Sequence, residues 1–218
     1  MRKFRLVVFD LDGTLVDSLG DLAESANALL VESGSVPLGR DEIGRMVGEG
    51  AAVLVTKLFA AAALPQPPEA LERFLEIYDA RLLELTRPYA GIPEALAEMD
   101  RSAALAVLTN KPIGATRQIL QGLDLARYFR PQAVLGGDGP LPRKPDAAGL
   151  RYLASQANVP LGETVLVGDS LVDWRTARAA GSAVCLARYG FGFESVPAGT
   201  LGPADLHVDS PAELVSVL

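Results

Sequence analysis

Near its start the chain reads Leu6-Val7-Val8-Phe9-Asp10-Leu11-Asp12-Gly13-Thr14-Leu15. The four apolar residues predict a strand that is buried on both faces, as in a parallel sheet. Asp10 and Asp12 follow it one residue apart, where two unpaired carboxylates would repel each other and be costly to bury. A divalent cation held by oxygen ligands would relieve the repulsion, and Mg²⁺ is the ion that we expect. The alternative for this short pattern alone is a surface turn, in which Asp and Gly are common.

The composition excludes several classes of partner. The chain has 218 residues and a net charge of −7, which argues against non-specific binding to nucleic acid or to anionic membranes. Its single cysteine, Cys185, excludes an internal disulfide and fits a reducing, cytoplasmic environment. No stretch approaches the roughly 20 apolar residues that a membrane-spanning helix needs. The sequence therefore predicts a cytoplasmic protein that binds neither nucleic acid nor a membrane.

The order of the predicted elements indicates two structural parts. Residues 17–86 read as helices only, with Asp41 as the expected N-cap of a short helix, and this stretch is far longer than an ordinary loop. From Tyr89 onward apolar strands alternate with helices, which predicts a parallel sheet with helices on both faces. The predicted fold is α/β, with a Rossmann-like parallel sheet core and an inserted α-helical domain. Residues 1–14 and 89–218 form the predicted core domain, and residues 15–88 form the insert.

Polar side chains follow several of the predicted strands directly. Asp10 and Asp12, Thr109 and Asn110, and Asp169 all stand at such positions, and Lys144 precedes a helix that could bring it to the same edge. Sites in open parallel sheets form outside the carboxyl ends of the strands, so these residues should meet there. Carboxylates can hold a divalent cation, a lysine can hold a phosphate, and one aspartate can act as a nucleophile. Taken singly, Thr109-Asn110 could be a turn and Lys144 a surface lysine.

Four motifs, in this order along the chain, resemble those of the haloacid dehalogenase superfamily. The resemblance covers nearly the whole chain. The motifs are Asp10-Leu11-Asp12-Gly13-Thr14, Thr109-Asn110, Lys144-Pro145, and Gly168-Asp169-Ser170 with Asp173. The helical insert resembles that superfamily's α-helical cap. More narrowly, the chain is similar to phosphoglycolate phosphatases in four further stretches: Asp17-Ser18, residues 43–50, Arg178-Ala179-Ala180-Gly181, and residues 209–214.

The resemblance implies catalytic and metal-binding roles. Asp10 would be the nucleophile, and Asp12 would be the acid that protonates the leaving alkoxide and then the base that activates water. Lys144 would balance the negative charge of the nucleophile and the phosphate. The Asp10 side chain, the Asp12 backbone carbonyl and Asp169 would hold Mg²⁺. Asp173 would support the metal-bound waters or Lys144 from behind.

The resemblance also implies substrate contacts on both parts of the chain. Thr109 and the Asn110 backbone amide would bind phosphoryl oxygens. On the cap, Arg45 and the loop Gly48-Glu49-Gly50 would face the leaving group, and a plain helix connection is the alternative for the loop. A glycine-rich stretch at residues 188–192 is a weak indication of a cleft lining.

The activity implied is a Mg²⁺-dependent phosphatase that acts on a small phosphorylated metabolite, first of all 2-phosphoglycolate. A dehalogenase is disfavoured because Asp12 is present, and a phosphonatase because no convincing cap lysine follows the first motif. A sugar phosphomutase stays open, as do a pyrophosphatase and a nucleotide or sugar phosphate phosphatase. A non-catalytic binding protein on the same scaffold is a further alternative, which the intact Asp10, Asp12, Lys144 and Asp169 argue against.

Overall fold

The structure is a computed structural model and describes residues 4–218. The first part of the chain forms β1 (Leu6–Phe9), β2 (Val16–Asp17), α1 (Leu19–Glu32), α2 (Arg40–Gly44), α3 (Ala51–Ala61), α4 (Ala70–Asp79) and β3 (Arg87–Pro88). The second part forms α5 (Ile92–Met99), β4 (Ala104–Leu108), α6 (Ile113–Gly122), β5 (Val134–Leu135), α7 (Ala148–Gln156), β6 (Thr164–Gly168), α8 (Leu171–Ala180), β7 (Ala183–Ala187), β8 (Leu206–Val208) and α9 (Leu214–Val217).

Six strands form one parallel sheet in the order β5-β4-β1-β6-β7-β8. β1 lies inside the sheet, and Leu6 pairs with Ala104 of β4 and with Thr164 of β6. A strand with neighbours on both sides and helices over both faces has no contact with water, so its sequence can be apolar throughout. All four residues of β1 are buried. The predicted α/β fold with a Rossmann-like parallel sheet is confirmed.

The hydrophobic core lies on both faces of this sheet. Val7 and Phe9 belong to one buried cluster, whereas Leu6 and Val8 belong to another, because successive side chains of a strand point to opposite faces. The first cluster continues into the helices of the insert, for example to Phe74 of α4. The second is completed by α7 and α8. The sheet edge between these two layers is where the chain can place polar groups.

The segment that contains helices α1–α4 begins and ends at neighbouring points of the structure. β2 and β3 pair antiparallel, with Val16 opposite Pro88 and Asp17 opposite Arg87. Helices α1 and α4, and α3 and α4, pack against each other. This is the arrangement expected of an inserted unit, and the domain boundary itself stays a prediction. Residues 1–3 of the predicted core domain lie outside the described residues.

A buried carboxylate secures the return of the chain from the insert. Asp21 of α1 accepts hydrogen bonds from the backbone N–H groups of Leu85 and Thr86, at 3.0 and 2.8 Å. The Thr86 hydroxyl donates to the same carboxylate at 2.7 Å. A carboxylate that is buried needs such donors, because an unpaired one would be costly. Asp21 therefore fixes the segment that follows α4 against the start of α1.

Two details of the insert differ from the sequence-based expectations. Helix α2 begins at Arg40, with Gly39 as its N-cap, so Asp41 lies in the first turn and is not the cap. A carboxylate there still favours the helix, because it faces the positive end of the helix dipole. The two-residue strands β2 and β3 were not expected either, since two residues carry no detectable alternation of polarity.

Within residues 4–218, none of the helices is both long enough and apolar enough to cross a membrane. Cys185 is buried in β7 among apolar side chains. Burial raises the pKa of its thiol to about 12, so it remains protonated and packs as a small apolar residue.

Candidate active site

Asp10 follows directly after β1 and is buried at the carboxyl edge of the sheet. Its backbone N–H donates to the Val167 carbonyl at 2.8 Å, which continues the pairing of β1 with β6. Its carboxylate accepts a hydrogen bond from the Leu11 N–H at 2.7 Å and lies 3.0 Å from Lys144 Nζ. Burial raises the pKa of Asp10 to about 6, although the Lys144 ammonium acts in the opposite direction.

Lys144 lies in the loop before α7, and its side chain is buried rather than solvated. Its ammonium bridges two carboxylates, at 3.0 Å from Asp10 and 2.6 Å from Asp173. Burial disfavours the charged amine, but the two carboxylates outweigh burial and raise the pKa of Lys144. The Asn110 side chain fixes the lysine backbone, since its oxygen accepts from the Lys144 N–H and its amide donates to the Lys144 carbonyl, both at 2.9 Å.

Asp173 contributes both to a helix start and to this cluster of charges. Ser170 is the N-cap of α8, and Asp173 closes a capping box by accepting from the Ser170 N–H at 3.1 Å and from its hydroxyl at 2.6 Å. The other carboxylate oxygen of Asp173 contacts Lys144. The Asp173 carboxylate thus joins the start of α8 to the Lys144 ammonium.

Asp169 is enclosed by glycines that leave no space for a side chain. A Cβ atom on Gly13, Gly190 or Gly192 would overlap the Asp169 side chain. The Gly192 N–H donates to the Asp169 carboxylate at 2.7 Å. The glycine-rich stretch at residues 188–192 therefore packs on a carboxylate of the site, which explains why glycines stand there.

The carboxylates of Asp10, Asp169 and Asp173 form a group that could hold a metal ion. Oxygens from all three lie within 4.8 Å of one another, and all three residues are buried. Burial, together with repulsion from Asp173 and Asp10, raises the pKa of Asp169 well above its usual range. A cation bound between these oxygens would offset this excess of negative charge, and an all-oxygen set of donors suits a hard divalent metal. The residues present therefore fit a metal ion.

Thr109 and Asn110 follow β4 and reach the same edge of the sheet. Both are buried, and the Thr109 hydroxyl accepts a hydrogen bond from the Lys111 N–H at 3.2 Å. The Asn110 side-chain amide also donates to the Gly48 carbonyl of the insert at 3.0 Å. The side chain of Asn110 is thus fully used in joining three segments of the chain, which leaves its backbone as the part that could contact a ligand.

Asp12 does not belong to this group of three carboxylates, and its carboxylate instead contacts a lysine that sequence analysis missed. Both oxygens of its carboxylate lie 3.1 Å from Lys111 Nζ, and the Ser18 hydroxyl donates to it at 2.6 Å. Lys111 also contacts the hydroxyl of Tyr78, which belongs to α4 of the insert, at 2.5 Å. The one signal in the sequence was the position of Lys111 directly after Thr109-Asn110, at the end of a buried strand.

The residues predicted on the cap separate into two pairs. Gly48 and Gly50 line a cavity over the sheet edge. Arg45 instead lies 3.6 Å from Glu194, and Glu49 forms an ion pair with Lys57 at 2.6 Å, with all four side chains partly exposed. Neither Arg45 nor Glu49 lines the cavity in the described part of the chain. Their contact with a substrate stays a prediction.

The cavity between the insert and the sheet edge has a volume of about 50 Å³. Asp10, Asp12, Thr109, Asn110 and Lys111 line it from the core. The insert closes it with mostly apolar side chains, together with Tyr78 and Asp79. The polar side of the cavity therefore lies at the carboxyl edge of the sheet, opposite the mostly apolar surface of the insert.

The fold is that of an α/β enzyme, and buried carboxylates and lysines meet at the carboxyl end of its parallel sheet. The chain belongs to the family of haloacid dehalogenase-like hydrolases, whose family model matches residues 7–187. The resemblance stated from the four motifs is confirmed.

Individual relatives agree with this assignment. The chain is 42% identical over 207 residues to a phosphoglycolate phosphatase from Rhodospirillum rubrum, covering 91% of this chain and 84% of that protein. It is 35% identical over 209 residues to a phosphoglycolate phosphatase from Caulobacter vibrioides, covering 94% and 86%. The crystal structure of a predicted phosphoglycolate phosphatase from Haemophilus somnus superposes with a TM-score of 0.88 at 30% identity, covering 100% of this chain and 99% of that one.

Proposed function

We propose that this chain is a Mg²⁺-dependent phosphatase that hydrolyses 2-phosphoglycolate through an aspartyl-phosphate intermediate. The observation that carries the proposal is the buried Asp10 carboxylate, held 3.0 Å from Lys144 Nζ beside two further carboxylates at the end of the sheet. The relatives named phosphoglycolate phosphatase support the choice of substrate. The small cavity also favours a metabolite of this size over a nucleotide.

Asp10 is the nucleophile of the proposed reaction. One of its oxygens forms a bond to phosphorus while the bond from phosphorus to the ester oxygen breaks. The leaving alkoxide takes a proton from Asp12, which gives the free alcohol. In the second step a water molecule passes a proton to Asp12 and attacks the phosphorus of the aspartyl-phosphate. Inorganic phosphate leaves, and the Asp10 carboxylate is restored.

The remaining site residues position the phosphoryl group in this proposal. Lys144 offsets negative charge beside Asp10. The Thr109 hydroxyl and the Asn110 backbone amide donate to phosphoryl oxygens. The Asp10 and Asp169 carboxylates and the Asp12 backbone carbonyl would hold Mg²⁺, with Asp173 supporting Lys144 from behind. A Mg²⁺ ion there would supply positive charge that reduces the repulsion between the phosphate dianion and the attacking carboxylate.

The insert covers the proposed site at the carboxyl edge of the sheet. We propose that residues 15–88 form a cap domain on a core of residues 1–14 and 89–218, and that Arg45 and the Gly48-Glu49-Gly50 loop face the leaving group. A cap that closes would exclude water from the reacting groups. The protein would act in the cytoplasm on a small phosphorylated metabolite, as a monomer or a homodimer.

Phosphate release tests the proposal directly. Release from 2-phosphoglycolate, sugar phosphates, nucleotides and pyrophosphate is measured with Mg²⁺ and with EDTA. We expect a preference for 2-phosphoglycolate and a fall of at least about 100-fold on metal removal, because a bound cation supplies several kcal/mol of charge stabilisation. Weak release from all compounds would contradict the assignment of 2-phosphoglycolate as the substrate but would still support a phosphatase. No release from any compound would contradict the proposed reaction.

Replacing Asp12 should slow both steps of the reaction. Asp12→Asn retains the shape of the side chain but cannot exchange the proton, and general acid–base catalysis contributes about 100- to 10,000-fold. With p-nitrophenyl phosphate, whose leaving group needs no acid, the first step should persist while the second stays slow. Rapid-quench measurements should then record a burst of one p-nitrophenolate per enzyme molecule. Steady turnover at the unmodified rate would remove Asp12 from the acid–base role.

A further inference from the structure

Lys111 is a buried cation on the wall of the cavity, and its contacts join the core to the insert. Its ammonium lies 3.1 Å from both oxygens of Asp12 and 2.5 Å from the Tyr78 hydroxyl. It also lies 4.4 Å from the centre of the Tyr78 ring. An ammonium is expensive to bury unpaired, and here the Asp12 carboxylate compensates its charge on the cavity wall.

Tyr78 has a hydrogen-bond donor that faces this cavity without a protein acceptor. Lys111 can only donate, so the Tyr78 oxygen accepts and the hydroxyl hydrogen is left over. No residue in the range 4–218 accepts a hydrogen bond from that hydroxyl. Burial raises the pKa of Tyr78 to about 12, which keeps the hydrogen in place at neutral pH. The pair therefore offers an ammonium and a hydroxyl donor side by side.

Lys111 differs in charge from the other ionisable residues on the cavity wall. Of the described residues that line the cavity, Lys111 alone is cationic, whereas Asp10, Asp12 and Asp79 are acidic. The surfaces contributed by the insert helices are mostly apolar. An apolar substrate arm would leave the Tyr78 donor unpaired, and a neutral acceptor would pair with it but gain nothing from the Lys111 charge.

We propose that Lys111 and Tyr78 together bind a carboxylate of the substrate, on the side of the leaving group. The substrate class is then a short phosphomonoester whose alcohol part carries a carboxylate close to the ester oxygen. This inference rests on the proposed function and assigns its specificity to two residues that face each other across the boundary between core and insert. Lys111 and Tyr78 are thus specificity-determining residues, and neither takes part in the transfer of the phosphoryl group.

The test compares two substrates that differ in the carboxylate alone. These are 2-phosphoglycolate and 2-hydroxyethyl phosphate, in which a hydroxymethyl group replaces the carboxylate. We expect the ratio of their kcat/KM values to fall about 10- to 100-fold in Lys111→Met, because the positive charge beside the substrate carboxylate is lost. Tyr78→Phe should lower the ratio about 5- to 10-fold, for a neutral donor. Lys111→Arg, which keeps the charge, should retain part of the preference, and the remote variant Arg101→Met should leave the ratio unchanged.

The ratio separates specificity from the support that Lys111 gives to Asp12. If Lys111→Met and Tyr78→Phe slow both substrates equally, the two residues only position Asp12 and the inference is wrong. Should Lys111→Met not fold, Tyr78→Phe still decides, because it leaves the pair of Lys111 and Asp12 intact.

A binding measurement makes the outcome independent of turnover. Calorimetry on Asp10→Asn, with and without Tyr78→Phe, compares 2-phosphoglycolate with inorganic phosphate. If Tyr78→Phe weakens the binding of 2-phosphoglycolate but not that of inorganic phosphate, the carboxylate site is supported. This holds even if the unmodified protein releases no phosphate and the proposed function fails. Equal losses for both ligands overturn the carboxylate site while leaving the phosphatase proposal standing.

Discussion

Asp10→Asn should abolish phosphate release while the protein stays folded and still binds its ligand. The change removes the negative oxygen that attacks phosphorus but keeps the size of the side chain and an acceptor for the Leu11 N–H, now 2.7 Å from the carboxylate. Removing a nucleophile costs at least about 1,000-fold in kcat. The measurement is inorganic phosphate released from 2-phosphoglycolate in the presence of Mg²⁺.

The controls for this variant separate chemistry from folding. Asp100→Asn changes an exposed carboxylate remote from the site and should retain the full rate. Thermal melting and calorimetric binding of 2-phosphoglycolate should be close to those of the unmodified protein for both variants. Turnover of Asp10→Asn near the unmodified rate would remove Asp10 as the nucleophile.

Lys144→Met should give the largest loss of stability among the changes considered. The Lys144 ammonium bridges the buried carboxylates of Asp10 and Asp173 at 3.0 and 2.6 Å. Breaking a buried ion pair from one side costs about 3–5 kcal/mol, since it leaves charge without compensation. For a chain of this size that corresponds to a fall in Tm of about 6–20 °C, measured by calorimetry in EDTA.

A second substitution tests whether the charge is responsible. Asp173→Asn in the Lys144→Met background removes one of the stranded carboxylates, so the double variant should be more stable than the sum of the two single losses predicts. The coupling expected for neighbours in one network is about 1–3 kcal/mol. Losses that simply add would mean that Lys144 stabilises the fold by packing rather than by its charge.

The sequence predicted the fold well wherever apolar strands alternate with helices. The run Leu6-Val7-Val8-Phe9 becomes the strand β1 inside the sheet, and the alternation after Tyr89 becomes the strands around it. Short elements escaped detection. The antiparallel pair β2 and β3 has two residues per strand, and α2 begins two residues earlier than expected because Gly39 and not Asp41 caps it.

For the site, the sequence predicted which residues meet but not how their side chains are used. Asp10, Lys144, Asp169 and Asp173 come together as the strand ends suggested. Lys111 was missed because a lone lysine is normally solvated, and only the fold reveals that helix α4 covers it. The partners of Arg45 and Glu49 could not be foreseen, since exposed ion pairs depend on loops that no periodicity describes.

The pairing of β2 with β3 has a consequence for how such a protein can change over evolutionary time. Directly opposed residues of antiparallel strands lie about 5 Å apart, so the two ends of the helical segment stand side by side at residues 17 and 87. Any other folded segment whose ends are equally close could be exchanged there without altering the strand order. Recombination at this junction would replace the helices that cover the cavity and leave β1, with Asp10 directly after it, unchanged.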